Sequence, residues 1–565
     1  MRRAIAPFGL AALLFALALG AQAQTNPPVP PPPGPVNPPG VATGAPLPAI
    51  TPTPVASGSP DAAVPAIRPL PSPVLTAPPT AVPIVVDPPL PAVEPGKVVQ
   101  ARLSGVLGTI IATSASPTIA DVVADQMQRT IFITGRSVGS TTITITDARG
   151  ELRAITVRVA YAAGAIADDT ALRITGNPAS TIFLREAAAG AAQRAATLRP
   201  GSSVRIFPDS LDVRARLALD GLSTIDVPVQ IVGDAYLPAS GITRVSVENF
   251  ALPKIQPAQL LVSDFPETLR ANGVLFTADL GRSEARRFLY YHYNPAGQPN
   301  RRILLKVNNP ANEPAIVQFI SGSAGPGVNE MEVGHLSTQR FLVREFANEG
   351  TVVTIPPNAT VNLVDHSLPA GNVVSALLQL REVEGSPLHL TLVAQDATAP
   401  LDQSVDTTQL LAGGVAHARG AYDVPEFFFD YSYPVDGENL EIPIGQLPLP
   451  NLRQGEALAG DYGVKQTVSV RLVNNTRGPA QVAIYVNPRG GRATGTFLID
   501  QTLVQAHALP SFSKFKIWQQ TISAHTYQTV RVTTMPEGGS SYPLRLIFAP
   551  DDGSVPPGAP GSPIY

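Results

Sequence analysis

Thr141 to Asp147 reads TTITITD. Side chains on a strand alternate between its two faces, so Ile143 and Ile145 share one side while Thr142, Thr144 and Thr146 share the other. That alternation predicts a half-buried β-strand. The DARGE that follows (Asp147 to Glu151) is a turn, and LRAITVRVA (Leu152 to Ala160) is a returning strand. Upstream, Gly135 and Gly139 bracket Arg136, Ser137 and Val138, where a tight connection is needed. Residues 96–161 therefore read as a small antiparallel sandwich.

The wider stretch, SPTIADVVADQMQRTIFITGRSVGSTTITITDARGELRAITVRV, resembles the N-terminal domain of secretin-type pilus-assembly proteins. It is also similar to bacterial Ig-like group 2 repeats. The residues that carry the likeness are IADV (Ile119 to Val122), ITG (Ile133 to Gly135), VGSTTI (Val138 to Ile143) and the closing VRV (Val157 to Val159). The resemblance implies an envelope-associated interaction module. In that family the domain precedes a ring-forming β-domain that makes an outer-membrane pore. The rest of this chain has short strands interrupted by proline-rich turns instead of long amphipathic hairpins, so the resemblance is not extended to pore formation.

A chain of 565 residues is too long for one core and should hold several domains. Charged residues make up only 15% and the formal net charge is −3, against a general nucleic-acid binder, which needs a basic excess. Arg2 and Arg3, the apolar run Phe8 to Gly20 and the small-x-small site Ala21-Gln22-Ala23 read as a signal peptide over 1–23. Export to the periplasm or cell surface follows, with no transmembrane span after cleavage. There is no cysteine, so each domain must be held by its own core without disulfides. Of the 60 prolines, 25 fall between Pro27 and Pro95. Proline fixes φ and removes a donor, so residues 24–95 are expected to be a disordered, largely polyproline II spacer. A leader without a partner and a ligand for a proline-binding module stay open beside that reading. Residues 553–565 read as a disordered tail.

Residues 165–252 read as a small β-domain with a single helix. ASTIFLREAAAGAAQRAATL (179–198) is alanine-rich, has Ser180 as a candidate N-cap and stops before Arg199-Pro200-Gly201. Beyond it the chain repeats itself. FLYYHY (288–293) matches FFDYSY (428–433), and KVNNPANEPAIV (306–317) matches RLVNNTRGPAQV (471–482). A TI then TVNL (354–363) matches TI then TVRV (521–532). LPAG (368–371) matches MPEG (535–538), and PLHLTLVAQD (387–396) matches PLRLIFAPDD (543–552). We read two copies of an Ig-like β-sandwich, 253–398 and 421–552, joined by a linker over 399–420. On this pairing the second copy carries an insertion, roughly Pro434 to Lys465. The overall expectation is a mainly β chain of several tandem Ig-like sandwiches plus one helix-bearing β-domain.

Aligning the aromatic strands sorts their faces. Leu289, Tyr291 and Tyr293 stay large and apolar as Phe429, Tyr431 and Tyr433, and are expected in the core. Phe288, Tyr290 and His292 change to Phe428, Asp430 and Ser432, and are expected to face outward. With Arg286 and Arg301 they form the candidate binding face. No catalytic, cofactor-binding or metal-ligating residues are expected. The seven histidines form no i, i+4 pair and no HExxH. Ser511 and Lys514 have the spacing of penicillin-recognising nucleophiles but lack the partner motifs. Asp436 to Glu441 carries three carboxylates without the spacing of a calcium loop. Trp518 reads as a core residue before a sugar platform. The functional expectation is a non-catalytic, exported envelope protein acting through protein–protein contacts in pilus or surface-structure assembly. Its partners would be other envelope proteins, not nucleic acid. A glycan-binding surface adhesin is the alternative, and a secreted hydrolase with Ser511 as its candidate is the third reading.

Overall fold

A computed structural model describes residues 82–554. The signal peptide, most of the proline-rich segment and most of the tail lie outside the described residues.

The N-terminal sandwich is built from β1 (Val85–Asp87), β2 (Ala92–Val93), β3 (Val98–Ser104), β4 (Ile111–Ser114), β5 (Ala120–Asp125), β6 (Thr130–Gly135), β7 (Gly139–Thr146) and β8 (Leu152–Val159). Its sheets run β1-β3-β6-β5 and β2-β8-β7-β4. Ile143 and Ile145 are fully buried opposite Ile155 and Arg153, and Val157 and Val159 turn inward beside Ile155. Each such side chain contributes roughly 1.5–3 kcal/mol. Asp147 ties the turn. Its carboxylate accepts the Leu107, Arg149 and Glu151 amides. The Arg149 guanidinium beside it holds its pKa down to about 2.

This sandwich starts earlier than residue 96, which corrects the spacer boundary. Ile84, Val86 and Val93 are core residues, β1 pairs with β3, and β2 pairs with β8. Both are very short outer strands, so the flanking prolines remove no ladder bond from a central strand.

The next unit holds β9 (Gly164–Ala165), β10 (Asp169–Thr175), α1 (Thr181–Ala195), β11 (Thr197–Leu198), β12 (Ser203–Arg205), β13 (Leu222–Val232) and β14 (Ala239–Asn249). The Ser180 side chain caps α1 by accepting the Phe183 amide at 3.3 Å. Its alanines, with Phe183 and Leu184, pack on the sheet.

The central sandwich comprises β15 (Gln259–Ser263), β16 (Gly273–Leu280), β17 (Ala285–Asn294), β18 (Arg301–Asn309), β19 (Ala315–Gly327), α2 (Glu330–Phe346), β20 (Gly350–Ile355), β21 (Ala359–Leu368), β22 (Asn372–Glu384) and β23 (Leu388–Asp396), followed by β24 (Arg419–Tyr422). The C-terminal sandwich comprises β25 (Glu426–Pro434), β26 (Leu440–Ile444), β27 (Lys465–Asn474), β28 (Ala480–Pro488), β29 (Ala493–Ile499), β30 (Thr502–Leu509), β31 (Phe515–Ile522), β32 (Thr526–Thr534) and β33 (Leu544–Pro550).

The two sandwiches have the same strand order. The central one runs β20-β19-β22-β17-β15 over β16-β23-β18-β21. The C-terminal one runs β30-β29-β32-β27-β25 over β26-β33-β28-β31. Even the parallel pair recurs, β15 with β17 and β25 with β27.

That order corrects the pairing of the sequence blocks. Only the last block, β23 with β33, joins equivalent strands. FLYYHY lies on β17, whose counterpart is β27, whereas FFDYSY lies on β25, the counterpart of β15. The segment Pro434–Lys465 is no insertion, because its β26 is the counterpart of β16. A recurring asparagine explains the slip. Asn294 ends β17 and donates to the Pro299 and Leu368 carbonyls, and Asn474 ends β27 and donates to those of Gly478 and Ile522. Asn309 ends β18 and does the same to Glu313 and Ile355. All three are fully buried. One device on neighbouring strands made a shifted alignment look right.

Domain boundaries are also less separate than expected. A ten-stranded sheet runs β12-β13-β14-β10-β20-β19-β22-β17-β15-β24. It joins the helix-bearing unit to the central sandwich through β10 and β20. The expected linker over 399–420 ends inside this sheet, because β24 pairs with β15. Finally, α2 was not expected. Asn329 caps it, Glu330 and Glu332 sit in its first turn and Arg344 in its last, as the helix dipole favours.

Candidate functional site

The expected binding face is buried, which corrects the outward assignment. Phe288, Tyr290 and His292 point into the central sandwich, where Phe288 meets Phe276 at 5.2 Å between ring centres. The Tyr290 hydroxyl donates to His366 Nδ1 at 2.9 Å, and His366 Nε2 lies 3.1 Å from the Gly325 carbonyl. His292 Nδ1 lies 3.0 Å from the Pro266 carbonyl and its Nε2 3.2 Å from the Ser263 hydroxyl. Burial pushes both imidazoles down to about 4, so each is a neutral, satisfied core residue. Arg286 pairs with Glu284 at the start of β17. Arg301 is buried at the other end, bonded to Asn272 and Asn294. The five residues form no common surface. The reason is that β17 is an inner strand covered on both sides. One face meets the second sheet, and on the other Leu289 and Tyr291 meet α2 and the C-terminal sandwich.

The remaining sequence candidates stay apart. Ser511 is exposed in a turn, with no helix to bring Lys514 to it, and Lys514 pairs with Asp552 at 3.2 Å. Trp518 is half-buried against the C-terminal core. Glu441 pairs with Arg545. Among the described residues no three His, Asp or Glu side chains form a metal-binding group. No helix there is long and apolar enough to cross a membrane.

What the tertiary structure assembles is a seam between the central and C-terminal sandwiches, with α2 inside it. The helix lies directly on its neighbours. A Cβ on Gly334 would run into the Gly538 carbonyl oxygen, and one on Gly322 would run into the helix backbone at Ser337 and Phe341. Arg287 donates to the Pro425 carbonyl at 2.6 Å and to Glu426 at 2.7 Å. Lys465 links Glu426 at 2.9 Å to Glu345 at 2.8 Å, and Lys254 adds a bond at 3.0 Å. Burial alone would raise the Glu345 pKa, but Lys465, Lys254 and Arg287 outweigh it and hold it down to about 2. Further along, His335 on α2 sits 2.9 Å from both Glu537 and Gln505. Thr494 and Thr496 also donate to Glu537. Burial opposes a charge on His335, yet its acidic partner raises its pKa.

Beside the seam lies a cleft of about 400 Å³. Its floor is Val262, Leu289 and Tyr291, and Tyr462 and the Gly538–Ser540 loop close the far side. On its rim His417 bridges two carboxylates, Asp264 at 3.4 Å and Glu267 at 3.2 Å. Burial pushes Asp264 up to about 6, and Asp264 in turn raises His417. Nothing in the periodicity of the sequence joins these positions, which come from five separate loops and strands.

Two exposed surfaces complete the inventory. In the N-terminal sandwich, Ile111 on outer strand β4 and Val123 on outer strand β5 are 62% and 64% exposed, and Met127 in the following turn is 93% exposed. In the C-terminal sandwich, Phe428 on edge strand β25 is 58% exposed. It stands over a groove of about 460 Å³ lined by Phe346, Asp430, Ser469, Asp500 and Arg531. Register places Phe428 opposite Thr467, and Asp430 in one row with Ser469 and Arg531.

Residues 93–160 match the family model described as the pilus formation protein N terminal region. The match lies within the N-terminal sandwich, leaving out its first strand, and reaches no other unit. No curated protein matches the chain in sequence. Among solved structures, the human desmocollin-1 ectodomain aligns at 7% identity over 32% of this chain and 43% of its own, with a TM-score of 0.12. The M60 catalytic domain with two CBM51 domains of Clostridium perfringens ZmpB aligns at 8% identity over 83% and 55%, with a TM-score of 0.13. Bacteroides ovatus SGBP-B aligns at 11% identity over 51% and 70%, with a TM-score of 0.11. Overlaps this shallow show neither a shared fold nor a shared activity.

Proposed function

We propose that the protein is a non-catalytic, exported component of the cell envelope that works through protein–protein contacts in assembling a pilus or a related surface structure. The observation that carries this reading is the match of residues 93–160 to the pilus formation family. Support comes from the surface of that sandwich. Outer strands β4 and β5 keep unpaired backbone edges, and Ile111, Val123 and Met127 add exposed apolar area beside them. Free edges with apolar flanks are what a partner strand or groove engages. The seam supports the reading from the other end, because a pinned pair of sandwiches makes a rigid body on which to present an interaction module. The test is affinity capture from envelope extracts. The parent should recover pilus or secretion components, and Ile111→Ser, Val123→Ser and Met127→Ser combined should lose them. Recovery of none by the parent refutes the proposal.

A glycan-binding reading is favoured by one feature, the exposed Phe428 over a groove that mixes aromatic and polar side chains, where aromatic stacking and hydrogen bonding would act together. It moves the candidate from Tyr290 to the C-terminal sandwich. On a glycan array, Phe428→Ala should cut any signal severalfold. No signal from the parent would remove this alternative.

A further inference from the structure

We propose that the cleft between the central and C-terminal sandwiches binds a primary ammonium or guanidinium group, supplied by a free amine or by a lysine or arginine side chain of a partner protein. This stands whether or not the pilus reading holds.

The charge is one-sided. Asp264, Glu267 and Glu456 line the cleft; among the described residues no lysine or arginine does, and the one cation, His417, is already shared between two of the carboxylates. One Asp264 oxygen is spent on His417, while the other, Oδ1, is buried with no hydrogen-bond partner in the protein. The second observation is independent of the acids. Tyr291, only 5% exposed, forms part of the floor, and its hydroxyl also has no partner. Burial keeps that hydroxyl protonated, with the nearby charges of Glu330, Glu267 and Asp264 adding to it. A buried polar atom left unpaired costs about 1–3 kcal/mol, so two of them lining one cleft point to a group that satisfies both.

An ammonium or guanidinium fits that requirement. Its N–H bonds can be given to Asp264 Oδ1 and to the Tyr291 oxygen. Its alkyl stem can lie on Val262 and Leu289, as long basic side chains do on apolar surface. The rings of Tyr291 and Tyr462 add cation–π attraction. The cleft, about 400 Å³, accepts one such group and its stem.

The experiment uses the mature chain with n-butylammonium and N-acetyl-lysine methylamide as probes and 1-butanol as the neutral control, followed by NMR titration. Both ammonium probes should bind saturably and 1-butanol should not. Asp264→Asn should weaken binding about tenfold or more, because it removes a charge-assisted bond. Tyr291→Phe removes one unpartnered oxygen and should weaken binding about fivefold without lowering the melting temperature. Tighter binding of the lysine amide supports a partner side chain as the source, and equal or tighter binding of n-butylammonium supports a free amine. Absence of saturable binding by either probe overturns the proposal. So does binding unchanged by Tyr291→Phe, which keeps the test valid if Asp264→Asn fails to fold.

Discussion

Arg287→Ala should destabilise the protein by about 3–5 kcal/mol, the usual cost of removing one partner from a buried ion pair. Arg287 is fully buried, and its guanidinium is the inner end of a chain running through Glu426 and Lys465 to Glu345. Removing it leaves two buried carboxylates, Glu426 and Glu345, sharing Lys465, and also removes the bond to the Pro425 carbonyl that holds the start of β25. The damage should fall on the seam first. Limited proteolysis should cut between the central and C-terminal sandwiches before either sandwich opens. Arg287→Met combined with Glu426→Leu should be less harmful than Arg287→Ala alone, since no uncompensated charge then stays inside. Urea denaturation of the three proteins checks this, and a loss below about 1 kcal/mol for Arg287→Ala would show that the network does not hold the seam.

The second large effect is a pH dependence carried by His292 and His366. Each imidazole takes up a proton near pH 6.5 in the unfolded chain and only near pH 4 in the folded one. As pH falls below 6.5 the unfolded state gains protons that the folded state refuses, so stability drops by about 1.4 kcal/mol per pH unit for each ring. Between pH 7 and pH 4 that amounts to about 3 kcal/mol per histidine. Asp264 and Asp461, raised by burial to about 6 and about 7, titrate with the opposite sign. His335, whose pKa is raised, keeps its contribution in acid and loses it as pH climbs through its folded value. The comparison is therefore between variant and parent. His292→Gln and His366→Gln should each flatten the acid side of the profile by about 3 kcal/mol, read from hydrogen exchange of the β17 and β22 amides at pH 7 and pH 4. Parallel profiles for parent and variants would refute the assignment.

His292 shows where sequence reasoning reached its limit. The alternation in FLYYHY was plain, and it correctly separates Phe288, Tyr290 and His292 from Leu289 and Tyr291. Which set faces the core cannot be read from alternation, because period two is blind to what covers each side. On β17 both sides are covered. The aligned partner strand was also not its structural equivalent, so the polar changes at Asp430 and Ser432 reported on an edge strand. Helix α2 escaped for a different reason. Much of its buried face is Gly334, Ser337, Thr338 and Glu345, so it shows no wide apolar stripe. Small and hydroxylated residues are there because the helix touches backbone on two sides, and Glu345 because Lys465 waits for it.

What the sequence by itself determined is the local part: strands from alternation, the capped alanine helix α1, the turn at Asp147, and the likeness of the N-terminal sandwich to the pilus family. All of these depend on residues close together in the chain. Only the tertiary structure decided the strand equivalence of the two sandwiches, the ten-stranded sheet that fuses units, the ionic seam and the acidic cleft. Each joins residues more than a hundred positions apart, such as Arg287 with Glu426, His335 with Glu537 and Asp264 with His417. Pairings at that distance are set by which surfaces the folded units bury against one another, and no local pattern in the chain encodes that choice.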